Sequence, residues 1–181
     1  MQAAARKEYG GEVYPAWGNQ GAKIVQISQA PSQRVIKFQK PFFDQSGQRL
    51  RNEWYKVSDE EFYSKDNFYF TVVGRGFPGK DKKGRDKKPD FKFAQKWLWR
   101  ELGFLNPKLF LVVGRVAADF LFPKKDFNEL IFQGQKLNGR AAIVLPHPSP
   151  ANIKWFLDHP EFAKKRLPRI RRFIHVILKS E

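Results

Sequence analysis

The chain has 181 residues, no cysteine and a single methionine, and its 18 Asp and Glu are outnumbered by 34 Lys and Arg. Each shortage excludes something. Without cysteine there can be no disulfide, no thiolate-bound zinc and no Cys-ligated iron–sulfur cluster. No apolar run approaches the roughly 18 residues of a membrane-spanning helix. The start, Met1-Gln2-Ala3-Ala4-Ala5-Arg6-Lys7, lacks the apolar stretch of a secretory signal. A cytoplasmic protein that is neither secreted nor bound to a membrane is the expectation.

The shortage of acid leaves a formal net charge of +16. An excess of that size favours polyanions, for which nucleic acid and an anionic membrane surface are the candidates on charge alone. Apolar material is plentiful: 41% of the residues are hydrophobic, with 18 Phe and 5 Trp, enough to close a core rather than leave the chain disordered. The length suits one domain over residues 1–181.

Four strands are expected. Ala22 to Ile27, Asn67 to Val73, Leu109 to Gly114 and Ala141 to Leu145 are short apolar runs, and the third lacks alternation, as strands covered on both faces do. Helical signals separate them. Gly47 to Tyr55 sets Leu50 and Trp54 four apart, and Ser58-Asp59-Glu60-Glu61 is a capping box. Asp90 caps a helix whose inner stripe of Ala94, Trp97, Leu98 and Leu102 is interrupted by Glu101, and Arg115 to Leu121 reads as a helix after the third strand. Phe127 to Gln135 has no decisive pattern. After Glu161 the tail sets Phe162, Ile170, Phe173, Ile174, Ile177 and Leu178 on one face, with Lys and Arg on the rest and Pro168 dividing it. Residues 1–21 are an irregular lead-in, with Trp17 covering the sheet edge. Strands alternating with helices imply a three-layer α/β/α sandwich around a mainly parallel four-stranded sheet.

Two loops that follow strands carry chemistry. In Leu145-Pro146-His147-Pro148-Ser149-Pro150-Ala151-Asn152 the three prolines hold φ near −65° and remove backbone donors, so a stiff loop aims the imidazole of His147. Ser28-Gln29-Ala30-Pro31-Ser32 follows the first strand, and its small residues permit close backbone approach. Both fall at carboxyl ends of strands, where open parallel sheets build their sites. Between them lie Phe42-Phe43 and Phe77-Pro78-Gly79-Lys80, the second of which opens the basic loop Lys80 to Lys88.

In this order the loops resemble the two signature motifs of the uracil-DNA glycosylase superfamily, over nearly the whole chain, and the absence of cysteine makes the chain similar to the cluster-free branch. The resemblance implies a monofunctional DNA glycosylase of base excision repair. It would act as a monomer, without metal or cofactor, on uracil or another deaminated base in single-stranded or duplex DNA. It implies that a ring of the Phe42–Phe43 pair stacks on the flipped base, Phe42 being preferred because it follows Pro41. It also implies that His147 hydrogen-bonds the carbonyl oxygen of the departing base. The backbone N–H groups of Gln29 and Ala30 would donate to that base, and the Gln29 side chain would recognise it or orient water. Phosphate contacts are expected from Lys80, Lys82, Lys83 and Arg85, with further DNA contacts from Ser149, Pro150, Ala151 and Asn152.

The chain departs from the family at three places. One branch has Asp where Ala30 stands and the iron–sulfur branch has Glu where Gln29 stands, so Asp44, just past the Phe pair, is the substitute for activating water. Thr71 stands where many relatives have a base-reading Asn. Ala151 stands where some relatives insert a Leu wedge, which favours single-stranded or mismatched substrates that are cheap to open. The alternative expectation is a catalytically degenerate member that binds DNA without excising bases. His159 is expected to cap a helix, and His175 to sit at the surface or in packing.

Overall fold

An apolar run interrupted by Gln26 and ended by Ser28 forms the fully buried strand β1 (Ile24–Ser28). The computed structural model describes residues 7, 13–14, 16–82, 84 and 87–180. After β1 come the short helix α1 (Gln33–Phe38) and α2 (Gln45–Gln48), which runs on as a π-helical stretch over Arg49–Tyr55. The capping box at Ser58 opens α3 (Asp59–Tyr63), with both reciprocal bonds formed, and β2 (Phe68–Val72) follows. Asp90 caps α4 (Phe91–Phe104), which leads to β3 (Leu109–Val113), α5 (Arg115–Leu121) and α6 (Phe127–Phe132). Strands β4 (Gln135–Leu137) and β5 (Arg140–Leu145) then precede α7 (Ile153–Asp158) and α8 (Leu167–Lys179).

The sheet order is β2-β1-β3-β5-β4. The first three pairings are parallel, with Ile24 beside Phe68 and Leu109, and Leu109 beside Ala141. The sheet therefore has five strands, not four. The extra strand, β4, pairs antiparallel with β5 across Asn138-Gly139, whose φ angles of 48° and 75° are those of a tight I′-type hairpin turn. Three residues are too few to show a period, so β4, which begins at Gln135 where the undecided stretch ends, gave no signal of its own.

Alternation along β2 shows how both sheet faces are covered. Phe68 and Phe70 face one way, where Tyr55 stacks on Phe68 and Phe62 lies 4.9 Å from Phe70 between ring centroids. Tyr69 and Thr71 face the other way, toward Glu101 on α4. Helix α8 closes over the π-helical stretch that follows α2: Arg171 donates to the carbonyls of Trp54 and Glu53, and the Nε2 of His175 lies 2.8 Å from the Tyr55 carbonyl. Pro168 sits in the first turn of α8, after a π-helical turn over Phe162–Arg166, so the tail is divided where expected. Ile170, Ile174 and Ile177 are buried, but Phe173 is 40% exposed and lies off the inner face assigned to it. His159 is the C-cap of α7. Trp17 makes a backbone bridge to Phe70 at the sheet edge.

Burial raises the hydroxyl pKa of Tyr14, Tyr55 and Tyr69 above the ordinary tyrosine value. The folded state holds these phenols neutral, so their contribution is complete below the unfolded value of about 10 and is lost as pH rises above it. The unfolding free energy from urea titrations should be flat up to about pH 9 and fall above about pH 10, by roughly 1.4 kcal/mol per pH unit for each fully buried phenol. A flat profile to higher pH would show that these rings ionise freely in the fold.

Candidate active site

The two proline-containing loops, after β1 and after β5, meet at the carboxyl edge of the sheet beside the end of β2. They enclose a cleft of about 260 Å³, with Gln29, Ala30 and Pro31 on one side and His147 and Ser149 on another, while Phe42, Asp44 and Thr71 complete the wall. The sheet reverses its winding between β1 and β3, and the crevice lies beside that point, as expected for an open parallel sheet.

His147 stands two residues beyond β5, held from several directions. Its Nδ1 accepts the Ser149 N–H at 3.2 Å, so the neutral ring carries its proton on Nε2 and acts there as a donor. Its carbonyl accepts the Asn152 amide at 3.2 Å, and the next carbonyl, of Pro148, accepts from Arg49 at 3.1 Å. Gly114 sets the floor. Its φ of 90° is one that side chains avoid, which favours glycine there, and the His147 ring lies against it: an added Cβ would lie 3.4 Å from Cδ2, an ordinary contact.

Phe42 is also held in a strained state, with φ at 49° in a non-glycine aromatic residue. Three groups keep it there. Its carbonyl accepts from Arg51 and from the Tyr63 hydroxyl, both at 3.4 Å, and it lies so close to Gly47 that an added Cβ would sit 1.7 Å from the oxygen. The ring rests on Phe70 at 5.8 Å and lines the cleft. Phe43, also proposed to touch the base, does not line it. The left-handed turn at Phe42 sends the next side chain outward, where Phe43 is 41% exposed and packs edge-on against Phe38.

Several polar side chains of the wall already have partners. Asp44 lines the cleft, but its Oδ1 accepts the Gly47 N–H at 3.0 Å as the N-cap of α2. The Gln29 amide donates to the Lys87 carbonyl at 3.1 Å, which ties the basic loop to the rim. Lys80 and Lys82 of that loop are exposed, whereas Lys83 and Arg85 lie outside the described residues. Pro150 and Ala151 are exposed, Ser149 accepts from the Ala151 N–H, and Asn152 is occupied in bracing His147.

Behind Thr71 lies a buried network with no counterpart in the expected site. Arg75 and Glu101 form an ion pair whose side chains are only 6% and 4% exposed. The Thr71 hydroxyl donates to Glu101 at 3.2 Å and accepts from Arg75 at 3.1 Å, and the Tyr69 hydroxyl donates to Glu101 at 2.8 Å. The Thr71 proton is thus committed away from the cleft, and toward a ligand it offers a lone pair and a methyl group. The signal for this network was Glu101 itself, since a carboxylate on the inner stripe of a helix requires a buried partner. Tyr14 was missed because it lies in the lead-in, where no period exists; it lines the cleft, and its buried hydroxyl has no hydrogen-bond partner.

A mainly parallel sheet covered on both faces, with a cleft at its carboxyl edge walled by a strained aromatic ring and a proline-braced imidazole, defines a three-layer α/β protein with a small-ligand-sized cleft. The profile of the uracil DNA glycosylase superfamily matches residues 15–171, and the chain belongs to that superfamily. The family is one of DNA glycosylases, which makes DNA the implied class of substrate. The fold is similar to a solution structure from Methanosarcina acetivorans, provisionally assigned as a uracil DNA glycosylase. The two share 17% identity with a TM-score of 0.51 over 91% of this chain and 98% of that one. No curated protein gives a significant match.

Proposed function

We propose that this chain is a monofunctional DNA glycosylase that hydrolyses the N-glycosidic bond of uracil or another deaminated base. The observation that carries the reading is the convergence of His147, the 28–32 loop and Phe42 on one cleft. In such a reaction the base leaves as an anion while positive charge develops on the sugar. Phe42 would present a face to the flipped base, and the Nε2–H of His147 would meet the oxygen on which charge accumulates. Backbone N–H groups of Gln29 and Ala30 would donate to the same base. Lys80 and Lys82, on a loop tied to the rim through Gln29, would hold phosphates.

Asp44 is the carboxylate at the cleft and would activate water. Asparagine caps helices as well as aspartate does, so Asp44→Asn keeps the cap while removing the base. The expected result is an unchanged melting temperature with single-turnover excision slowed by about 100-fold or more. Loss of stability with no change in rate would assign Asp44 to the cap alone.

One observation favours a second reading, in which the cleft binds DNA without excision: Asp44 is already used as a cap, and residues 29 and 30 carry no carboxylate. Single-turnover assays on single-stranded and mismatched oligonucleotides bearing uracil, hypoxanthine or xanthine separate the two. Abasic product supports the glycosylase. Salt-sensitive binding with no abasic product from any of these substrates establishes the binding protein.

A further inference from the structure

Next to the base cleft, and sharing Asp44 with it, is a second groove of about 360 Å³ lined by Arg34, Phe43, Gln45, Gln48 and Arg51. Its mouth carries an unusual surface. Phe38 and Phe43 are 51% and 41% exposed, and their rings meet at 5.6 Å between centroids at 61°. Lys37 lies 5.5 Å from the Phe38 centroid, and Lys40 lies 5.1 Å from that of Phe43 and 4.1 Å from that of Tyr63. Two adjacent exposed phenylalanines forgo burial that would favour folding, and a patch of this kind marks a binding surface.

The composition of the patch says what binds. Aromatic faces take the π-faces of bases, and the neighbouring cations, Arg34, Lys37 and Lys40, suit the phosphates between them. Asp44 is the sole carboxylate among the groove-lining residues, and one of its oxygens is held by the Gly47 N–H. The amides of Gln45 and Gln48 can donate to or accept from any base edge, which suits contact without sequence preference. We propose that this groove holds the nucleotide next to the one in the cleft, its base stacked on Phe43 and Phe38, and that it does so for single-stranded DNA. In a duplex the neighbouring base stays paired, with one face on the next base pair and the other turned into the gap within the helix, so neither face can reach the groove. Ala151, too small to fill the gap left by an extruded base, accords with the same preference. The proposal rests on the reading of the cleft as a base slot, and it gives Phe43 a role outside that slot.

The test uses an oligothymidylate of about ten nucleotides, which spans the groove and the cleft and offers no deaminated base, so binding is read apart from chemistry. By fluorescence anisotropy, the double variant Phe38→Ala/Phe43→Ala should bind it between about 5- and 100-fold more weakly, with little change toward a blunt duplex. Phe43→Leu keeps the apolar volume without the π-face and should also weaken binding, while circular dichroism confirms that the variants stay folded. Equal losses on strand and duplex, or no loss on either, overturn the proposal. If no substrate yields an abasic product yet the variants still lose single-strand affinity, the groove stands and the glycosylase reading falls. If the double variant excises bases from single strands at full rate and binds oligothymidylate unchanged, the groove alone falls.

Discussion

Substituting His147 with alanine should slow single-turnover base release by about 100- to 1000-fold, the usual effect of removing one preset donor from a developing oxyanion. The loss should appear in the chemical step and leave binding of an uncleavable oligonucleotide nearly unchanged, because a single neutral imidazole adds little to affinity dominated by phosphate contacts. The ring is exposed at the tip of its loop, so the variant should melt where the parent does. The bond from the Ser149 N–H fixes the proton of the neutral ring on Nε2, the atom that faces the departing base in this reading. A rate that survives His147→Ala would place the anion's stabilisation entirely on backbone groups of the 28–32 loop.

Glu101→Gln should have the largest effect on stability. It leaves the Arg75 guanidinium charged and enclosed, at 6% side-chain exposure, with a neutral amide in place of its counter-ion. Breaking a buried pair from one side typically costs about 3–5 kcal/mol. In a domain of this size that lowers the melting temperature by about 6–20 °C. The double change Arg75→Met/Glu101→Leu removes both charges and should recover much of the loss. The Thr71 hydroxyl would then be left without either partner. If the network also sets how Thr71 meets the base, the double variant should be stable and yet altered in its preference among uracil, hypoxanthine and xanthine. A double variant as unstable as Glu101→Gln would mean that packing, not charge, holds this layer.

How much of this could be read from residues alone depended on the range of the interactions involved. Four strands were legible because an apolar run of five or six residues between turn signals is a local pattern. The three residues of β4 were not, and the hairpin turn at Asn138-Gly139 went unread. The cleft's two loops were legible because prolines act on their own backbone. The difference between Phe42 and Phe43 was not: it depends on Gly47 admitting a carbonyl and on Arg51 and Tyr63 holding it, contacts set by the fold. Likewise Arg75 and Glu101 are 26 residues apart, and nothing local joins them. Asp44 stood out as a carboxylate near the motif, but its cap on α2 became visible only with the helix in place.

The proline-rich turn after β5 is pinned to Arg49 and Asn152 rather than hinged like a lid. Its ordering cost is met once, during folding, and not again at each turnover. Heat inactivation should therefore track collapse of the sheet, with no earlier stage in which the chain is intact but the imidazole has wandered.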